Sequence, residues 1–152
     1  MQNTVAAVAA ATALGLRPEG QVDVRFSSLR GEVVELDGGV TVVNDCYNAN
    51  PMSMRAALEH LAQAPAERRV AVLGTMAELG AVAEAEHRAV AALATELGIR
   101  VIALAEPRYG AEQVPDVEAA AHALGTLDAR DAVLVKGSRV AGLERLADLL
   151  LG

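Results

Sequence analysis

The sequence is poor in residues on which many binding surfaces and extracellular folds depend. Aromatic residues make up 2% of its 152 residues, tryptophan is absent, and Cys46 is the one cysteine. A single cysteine cannot form a disulfide within the chain, so we expect a reducing compartment, the cytoplasm. The formal net charge of −7 argues against nucleic acid as a partner, because phosphate backbones select basic surfaces.

Long hydrophobic runs are also missing. No apolar run reaches the roughly 18 to 20 residues that a membrane-spanning helix requires, so we expect no membrane insertion. The apolar start of the chain lacks the basic residues that begin a signal peptide. The composition is nevertheless 53% hydrophobic, with alanine, valine and leucine dominant, which is enough to bury the core of about one domain.

The pattern of apolar segments predicts an α/β fold. Two β-branched runs, residues 31–36 and 39–45, flank Asp37-Gly38-Gly39, which is typical of a β-hairpin. Helical patterns then alternate with apolar runs typical of buried parallel strands. The helices are predicted at 52–64, 84–97, 116–124 and 141–151, and the strands at 68–74, 100–105 and 131–137. This alternation predicts a Rossmann-like, doubly wound, mostly parallel sheet with an N-terminal hairpin strand pair.

The first 30 residues have a different character. Residues 3–14 predict an alanine-rich helix that is apolar nearly all round and has little within this chain to pack against. Residues 16–30 carry proline, glycine and mixed charge, which is typical of a connector.

Parallel sheets bind ligands beyond the carboxyl ends of their strands. Four predicted strand ends lead into "NDCYNANP", "GTMAELG", "AEPRYG" and "KGSR". In the first loop, the Asp45 carboxylate can accept hydrogen bonds from a ribose diol, and Tyr47 can stack on a base. Asn48 and Asn50 offer both donors and acceptors. Asn50 before Pro51 equally fits a helix cap with no ligand role.

The loop "KGSR" places two cations and a hydroxyl at a strand-to-helix turn. Lys136, Ser138 and Arg139 would suit a carboxylate or phosphate there, although a surface turn with solvated cations is the alternative. No G-x-x-x-x-G-K-[ST] phosphate loop occurs in the sequence. The three histidines and the cysteine lack zinc-ligand spacing, and His87, inside a predicted helix, is interpreted as structural.

Several of these segments together resemble a known family. "NDCYNANPMSMRAAL", "RRVAVLGTMAELG", the histidine at position 87 and "VLVKGSR" resemble, in this order and at these separations, the C-terminal domain of the MurF branch of the Mur ligase family. The opening "QNTVAAVAAA" resembles the last helix of that family's central, ATP-binding domain. The resemblance therefore implies that residues 1–29 are the tail of the central domain plus a connector, and that residues 30–152 are the C-terminal domain.

The resemblance also implies an activity. These ligases join D-alanyl-D-alanine to UDP-N-acetylmuramoyl-tripeptide in peptidoglycan synthesis, using ATP and Mg²⁺ and passing through an acyl phosphate. Their C-terminal domain is a lid that closes on the central domain. The family's phosphate loop and metal ligands lie upstream of the residues present, so we expect no catalytic residue and no metal site in this chain, and no activity from it alone.

Site residues follow from the same resemblance. Six are implied to contact the nucleotide: Asn3, Arg30, Asp45, Tyr47, Asn48 and Asn50. Three are implied to hold the carboxylate of D-alanyl-D-alanine: Lys136, Ser138 and Arg139. Two positions depart from the family pattern, because Thr75 stands where the family usually has an acid and Cys46 where it often has serine.

Two alternatives remain open. A free-standing Rossmann-like module that binds a nucleotide or a partner protein would need no phosphate loop. The apolar helix at residues 3–14 argues against it, because such a surface is expected to pack against another domain. A folate or poly-amino-acid ligase of the same superfamily is disfavoured by "YNANP" together with "KGSR".

Overall fold

The computed structural model describes residues 2–16, 31–36 and 38–152, with side chains from residue 8 onward in the first range. Helix α1 (Gln2–Ala13) fills most of that range, and its described side chains are largely exposed. Nearly all of the predicted connector, residues 16–30, falls outside the described residues, and so does Asp37 of the predicted hairpin turn.

Strands and helices alternate along the rest of the described chain. The strands are β1 (Glu32–Glu35), β2 (Thr41–Asp45), β3 (Arg68–Leu73), β4 (Arg100–Leu104), β5 (Glu112–Val114) and β6 (Asp131–Lys136). The helices that follow α1 are α2 (Pro51–Ala62), α3 (Ala83–Glu96), α4 (Val117–Leu124) and α5 (Glu144–Leu151). Short 3-10 turns at Gly80–Val82, Pro107–Tyr109 and Arg139–Ala141 follow the ends of β3, β4 and β6.

These strands form one sheet in the order β1-β2-β6-β3-β4-β5. The β1–β2 pair is antiparallel and each of the other pairs is parallel. The predicted mostly parallel sheet with an N-terminal hairpin pair is therefore confirmed. Strand β5 was not predicted, because its three residues, Glu112, Gln113 and Val114, include two exposed polar side chains and form no apolar run.

An apolar layer covers each face of the sheet. Successive strand residues point to opposite faces, so Leu134 of β6 packs with α2 and α3 whereas Val133 and Val135 pack with α4 and α5. Every residue of β6 is buried. The sheet is thus covered on both faces, and polar side chains gather at its carboxyl edge.

Two glycines allow the ends of β3 and β6 to approach each other closely. A Cβ on Gly74 would lie 2.5 Å from the Cβ of Ala141 and 3.0 Å from Cδ1 of Leu143. A Cβ on Gly137 would lie 3.1 Å from the Cα of Gly74. Neither glycine has a positive φ, so space rather than backbone conformation requires them.

Gly74→Ala should destabilise the fold by about 1–3 kcal/mol, because the added methyl group overlaps Ala141. Ala141→Gly in the same chain should recover part of that loss, and urea unfolding measures both changes. Gly98→Ala is the control, because Gly98 has open space around it and a φ of 68°. The stability lost in Gly98→Ala comes from backbone conformation and should not change when Ala141→Gly is added. A Gly74→Ala chain as stable as the wild type would contradict the close approach.

Candidate functional site

Asp45 and Lys136 are the last residues of two adjacent parallel strands and lie opposite each other in the register. The Lys136 ammonium donates hydrogen bonds to Asp45 Oδ2 at 2.5 Å and to the backbone oxygen of Asn48 at 3.0 Å. The side chain of Lys136 is 1% exposed and that of Asp45 is 23% exposed. The cation is therefore buried, whereas its carboxylate partner remains accessible.

A cavity of about 430 Å³ opens beside this ion pair. It is lined by Gly31, Asp45, Tyr47, Asn48, Asn50, Ser53 and Lys136. Four of the residues predicted to contact a nucleotide thus share one cavity, together with Lys136 from the second predicted set. The cavity offers a carboxylate, a phenol and amide groups, which suit a polar ligand that carries hydroxyl groups.

Asn50 is the N-cap of α2. Its side-chain oxygen accepts a hydrogen bond from Ser53 N at 2.9 Å, and the Ser53 hydroxyl accepts one from Asn50 N at 3.1 Å. Pro51 occupies the first helical position, where no backbone donor is needed. The helix-cap interpretation of Asn50 is confirmed, and its side-chain amide nitrogen is the group left for a ligand.

Ser138 ties three strand-end loops together. Its hydroxyl accepts a hydrogen bond from Ala77 N at 2.9 Å and donates one to the backbone oxygen of Ala49 at 3.4 Å. Its backbone N–H donates to the Thr75 backbone oxygen at 2.9 Å. Ser138 is buried, whereas Arg139 begins a 3-10 turn and is exposed. Of the three residues predicted to hold a carboxylate, Arg139 is the accessible one.

Glu106 is a buried carboxylate in the loop after β4, and Arg108 links it to the loop after β3; no role was predicted for Glu106. Glu106 is 3% exposed and accepts hydrogen bonds from Arg108 Nε at 2.7 Å and from the terminal guanidinium nitrogen of Arg108 at 2.5 Å. That nitrogen also donates to Thr75 Oγ1 at 3.1 Å. The Arg108 guanidinium is the main cause that lowers the pKa of Glu106 to about 2.

Glu106 places an acid beside Thr75, the position at which the family pattern led us to expect one. The sequence signal was its location two residues past the end of β4, in a loop already singled out as a strand end.

His87 has a structural role, as predicted. Its Nε2 atom accepts a hydrogen bond from Met76 N at 3.0 Å, so Nδ1 carries the proton and donates to the Ala83 backbone oxygen at 2.6 Å. The ring is fully buried and meets Tyr109 edge-on at 4.8 Å. Cys46 is also buried, and this burial is the main cause that raises the pKa of its thiol to about 12, which disfavours the nucleophilic thiolate.

Two of the predicted nucleotide residues cannot be placed. Asn3 lies in α1, but its side chain is outside the described part of the chain, and Arg30 is outside it altogether. Within residues 2–16, 31–36 and 38–152, no group of three or more His, Cys, Asp or Glu residues is arranged to hold a metal ion. No helix in the part that the structure describes is long and apolar enough to cross a membrane.

Comparison with known proteins gives consistent matches. A family model described as "Mur ligase, glutamate ligase domain" matches residues 29–139. The UDP-N-acetylmuramoyl-tripeptide--D-alanyl-D-alanine ligase of Treponema pallidum is 38% identical over 98% of this chain and 36% of its own length. The ligase of the same name from Mycobacterium tuberculosis (strain ATCC 25618 / H37Rv) is 39% identical over 80% of this chain and 31% of its own length.

A solved structure agrees with these relatives. The crystal structure of MurF ligase from Thermotoga maritima in complex with ADP is similar to this chain with a TM-score of 0.75 and 26% identity. The match covers 97% of this chain and 36% of that one. This chain therefore spans about a third of the length of the relatives that it matches.

The buried Glu106 should make stability depend on acid pH. A carboxyl group whose pKa is lower in the folded chain gives its full stabilisation of the fold when the pH is above its ordinary pKa of 4.5. That stabilisation is lost as the pH falls through the folded pKa of about 2. Glu106→Gln should therefore cost about 1–3 kcal/mol at pH 7 and flatten the loss of stability below pH 4.5, as measured by urea unfolding.

Glu112→Gln is the matched control, because Glu112 pairs with Arg100 at an exposed site and should cost less than about 1 kcal/mol. An unchanged acid profile in Glu106→Gln would contradict the role of Glu106.

If Asn50 caps α2, two substitutions at this position should differ in their effect on stability. Asn50→Ala should lower the free energy of unfolding by about 1 kcal/mol, because the Ser53 N–H loses its acceptor. Asn50→Asp should leave stability nearly unchanged, since aspartate caps helices as well as asparagine. Thermal unfolding measured by circular dichroism checks both, and equal melting temperatures for Asn50→Ala and the wild type would rule out the cap.

Proposed function

The chain belongs to the Mur ligase family, and on that premise we propose that it is the C-terminal, lid part of an ATP-dependent amide ligase. The proposed reaction joins D-alanyl-D-alanine to UDP-N-acetylmuramoyl-tripeptide, the substrates in the names of its relatives. Residues 30–152 would form the lid domain, and residues 1–29 the tail of a central ATP-binding domain with its connector. Because ATP is an intracellular substrate, the proposed location is the cytoplasm and the proposed process is peptidoglycan synthesis.

The observation that carries the proposal is the cavity shared by Asp45, Tyr47, Asn48 and Asn50. Asp45 is exposed enough to accept hydrogen bonds from ribose hydroxyls. Tyr47 and Asn48 would contact the base or sugar, and the free amide nitrogen of Asn50 would add a donor. Asn3 and Arg30 are proposed to contact the same nucleotide.

Arg139 is the proposed contact for the carboxylate of the incoming dipeptide. Its guanidinium can donate two parallel hydrogen bonds to one carboxylate, and it is exposed at the turn after β6. Ser138 fixes that turn through its bonds to Ala77 and Ala49. Lys136, the third residue implied to hold this carboxylate, is buried under Asp45 and is not proposed to contact the dipeptide directly.

In the reaction, the tripeptide carboxylate would accept the γ-phosphoryl group of ATP, and the dipeptide amine would then displace phosphate from the acyl phosphate. The residues of this chain would orient the nucleotide and the incoming amine rather than transfer protons. Mg²⁺ would offset the charge of the triphosphate, and its ligands are proposed to belong to the central domain.

Calorimetric titration of the 152-residue chain tests this proposal. We expect weak binding of ATP with Mg²⁺ and of D-alanyl-D-alanine, and no release of phosphate when both are mixed with UDP-N-acetylmuramoyl-tripeptide. Asp45→Asn should weaken ATP binding about tenfold or more, since a hydrogen bond to a charged group is lost. It should leave the dipeptide affinity unchanged.

Asp116→Asn is the matched control. It makes the same chemical change at the N-cap of α4, where asparagine caps equally well, and should leave both affinities unaltered. Equal ATP affinity in the wild type and Asp45→Asn would contradict the nucleotide role, and phosphate release by this chain would contradict the lid role.

A further inference from the structure

Lys136 is the one lysine in a sequence with 13 lysine and arginine residues. The 1% exposure of its side chain puts it among the largest fully buried side chains in the described residues. The ammonium contacts Asp45 Oδ2 and the backbone oxygen of Asn48. An ammonium held in this way inside the protein is poorly placed to meet a carboxylate that arrives from solvent.

The two residues of this ion pair do not depend on each other equally, because Lys136 is buried and Asp45 is partly exposed. Removing an ammonium from water is unfavourable unless a carboxylate and further acceptors replace the water. Lys136 therefore depends on Asp45, whereas Asp45, at 23% exposure, keeps contact with solvent. Removing the Asp45 carboxylate leaves a buried cation unpaired, but removing the Lys136 ammonium leaves a carboxylate that water can still reach.

We propose that Lys136 is a positioning residue that holds the Asp45 carboxylate in the orientation needed to accept the ribose hydroxyls of ATP. This inference rests on the proposed nucleotide function and replaces direct contact between Lys136 and the incoming dipeptide. Lys136 acts through Asp45, so its ammonium changes nucleotide recognition without itself donating a hydrogen bond to the nucleotide.

The contacts of the Lys136 ammonium explain how it would orient Asp45. The ammonium engages Oδ2 of Asp45 and leaves Oδ1 for a ligand, at the wall of the 430 Å³ cavity. An aspartate at the end of a strand has several rotamers available, and the ion pair selects one of them. The second bond, to the backbone oxygen of Asn48, fixes the next part of the same loop. One buried cation thus orders two of the cavity's polar residues.

Four chains test the proposal: the wild type, Lys136→Met, Asp45→Asn and the double variant. Methionine fills a similar volume without a charge, and asparagine keeps an acceptor for Lys136. Calorimetry gives the affinities of each chain for ATP and for 2′-deoxy-ATP, both with Mg²⁺. Their ratio reports contact with the ribose 2′-hydroxyl, and a residue that only stabilises the fold would not change it.

We expect the wild type to prefer ATP over 2′-deoxy-ATP by about tenfold. The preference should fall below about threefold in Lys136→Met, in Asp45→Asn and in the double variant alike, because the two residues act in series. The affinity for D-alanyl-D-alanine should not change in Lys136→Met.

Arg68→Met is the control, since it also removes a cation from a buried aspartate, Asp131. It should lower stability and leave the nucleotide preference intact. If Lys136→Met does not fold, Lys136→Leu gives the same measurement, because leucine also fills the buried site without a charge or a hydrogen-bond donor, and the same loss of preference is expected.

A tenfold preference retained in Lys136→Met would overturn the proposal, and so would a lower dipeptide affinity with unchanged nucleotide affinity. Failure of the wild type to bind ATP would instead reject the nucleotide function on which the proposal rests. The wild-type titration alone reveals that case, so the two failures are distinguishable.

Discussion

The ion pair between Lys136 and Asp45 is the contact on which the polar edge of this sheet depends. It joins the last residues of β6 and β2 and fixes the loop that contains Asn48. On the other side of β6, Gly74 and Gly137 allow the end of β3 to lie within van der Waals contact of the segment that follows β6. A buried charge can be kept at this point because the strand order gives the ammonium a carboxylate partner, and the loop after β2 gives it a backbone oxygen.

Local sequence patterns account for most of the fold. The apolar runs predicted β3, β4 and β6, and the glycine-rich turn predicted the hairpin, because these signals depend on neighbours in the chain. Strand order does not follow from such signals. The placement of β6 between β2 and β3 brings together Asp45 and Lys136, which are 91 residues apart, and no periodicity encodes that pairing. The short strand β5 carried too few apolar residues to be predicted.

The candidate site was only partly predictable for a related reason. Residue types and strand-end positions pointed to Asp45, Tyr47, Asn48 and Asn50, and the structure places all four on one cavity. Residue type could not show that Lys136 and Ser138 are buried and bonded within the protein. Glu106 was missed because its importance comes from Arg108, Thr75 and His87, which the fold assembles from three separate segments.

Because Lys136 is the one lysine in the sequence, it is a selective target for chemical labelling of the protein. Apart from the α-amino group, this chain presents one amine to acylating reagents, and that amine lies 1% exposed under Asp45. Its modification requires the edge of the sheet to open, so the rate of labelling would report the opening of this site alone. Arginine side chains do not react with these reagents, so the label would report local opening of this site without an engineered probe.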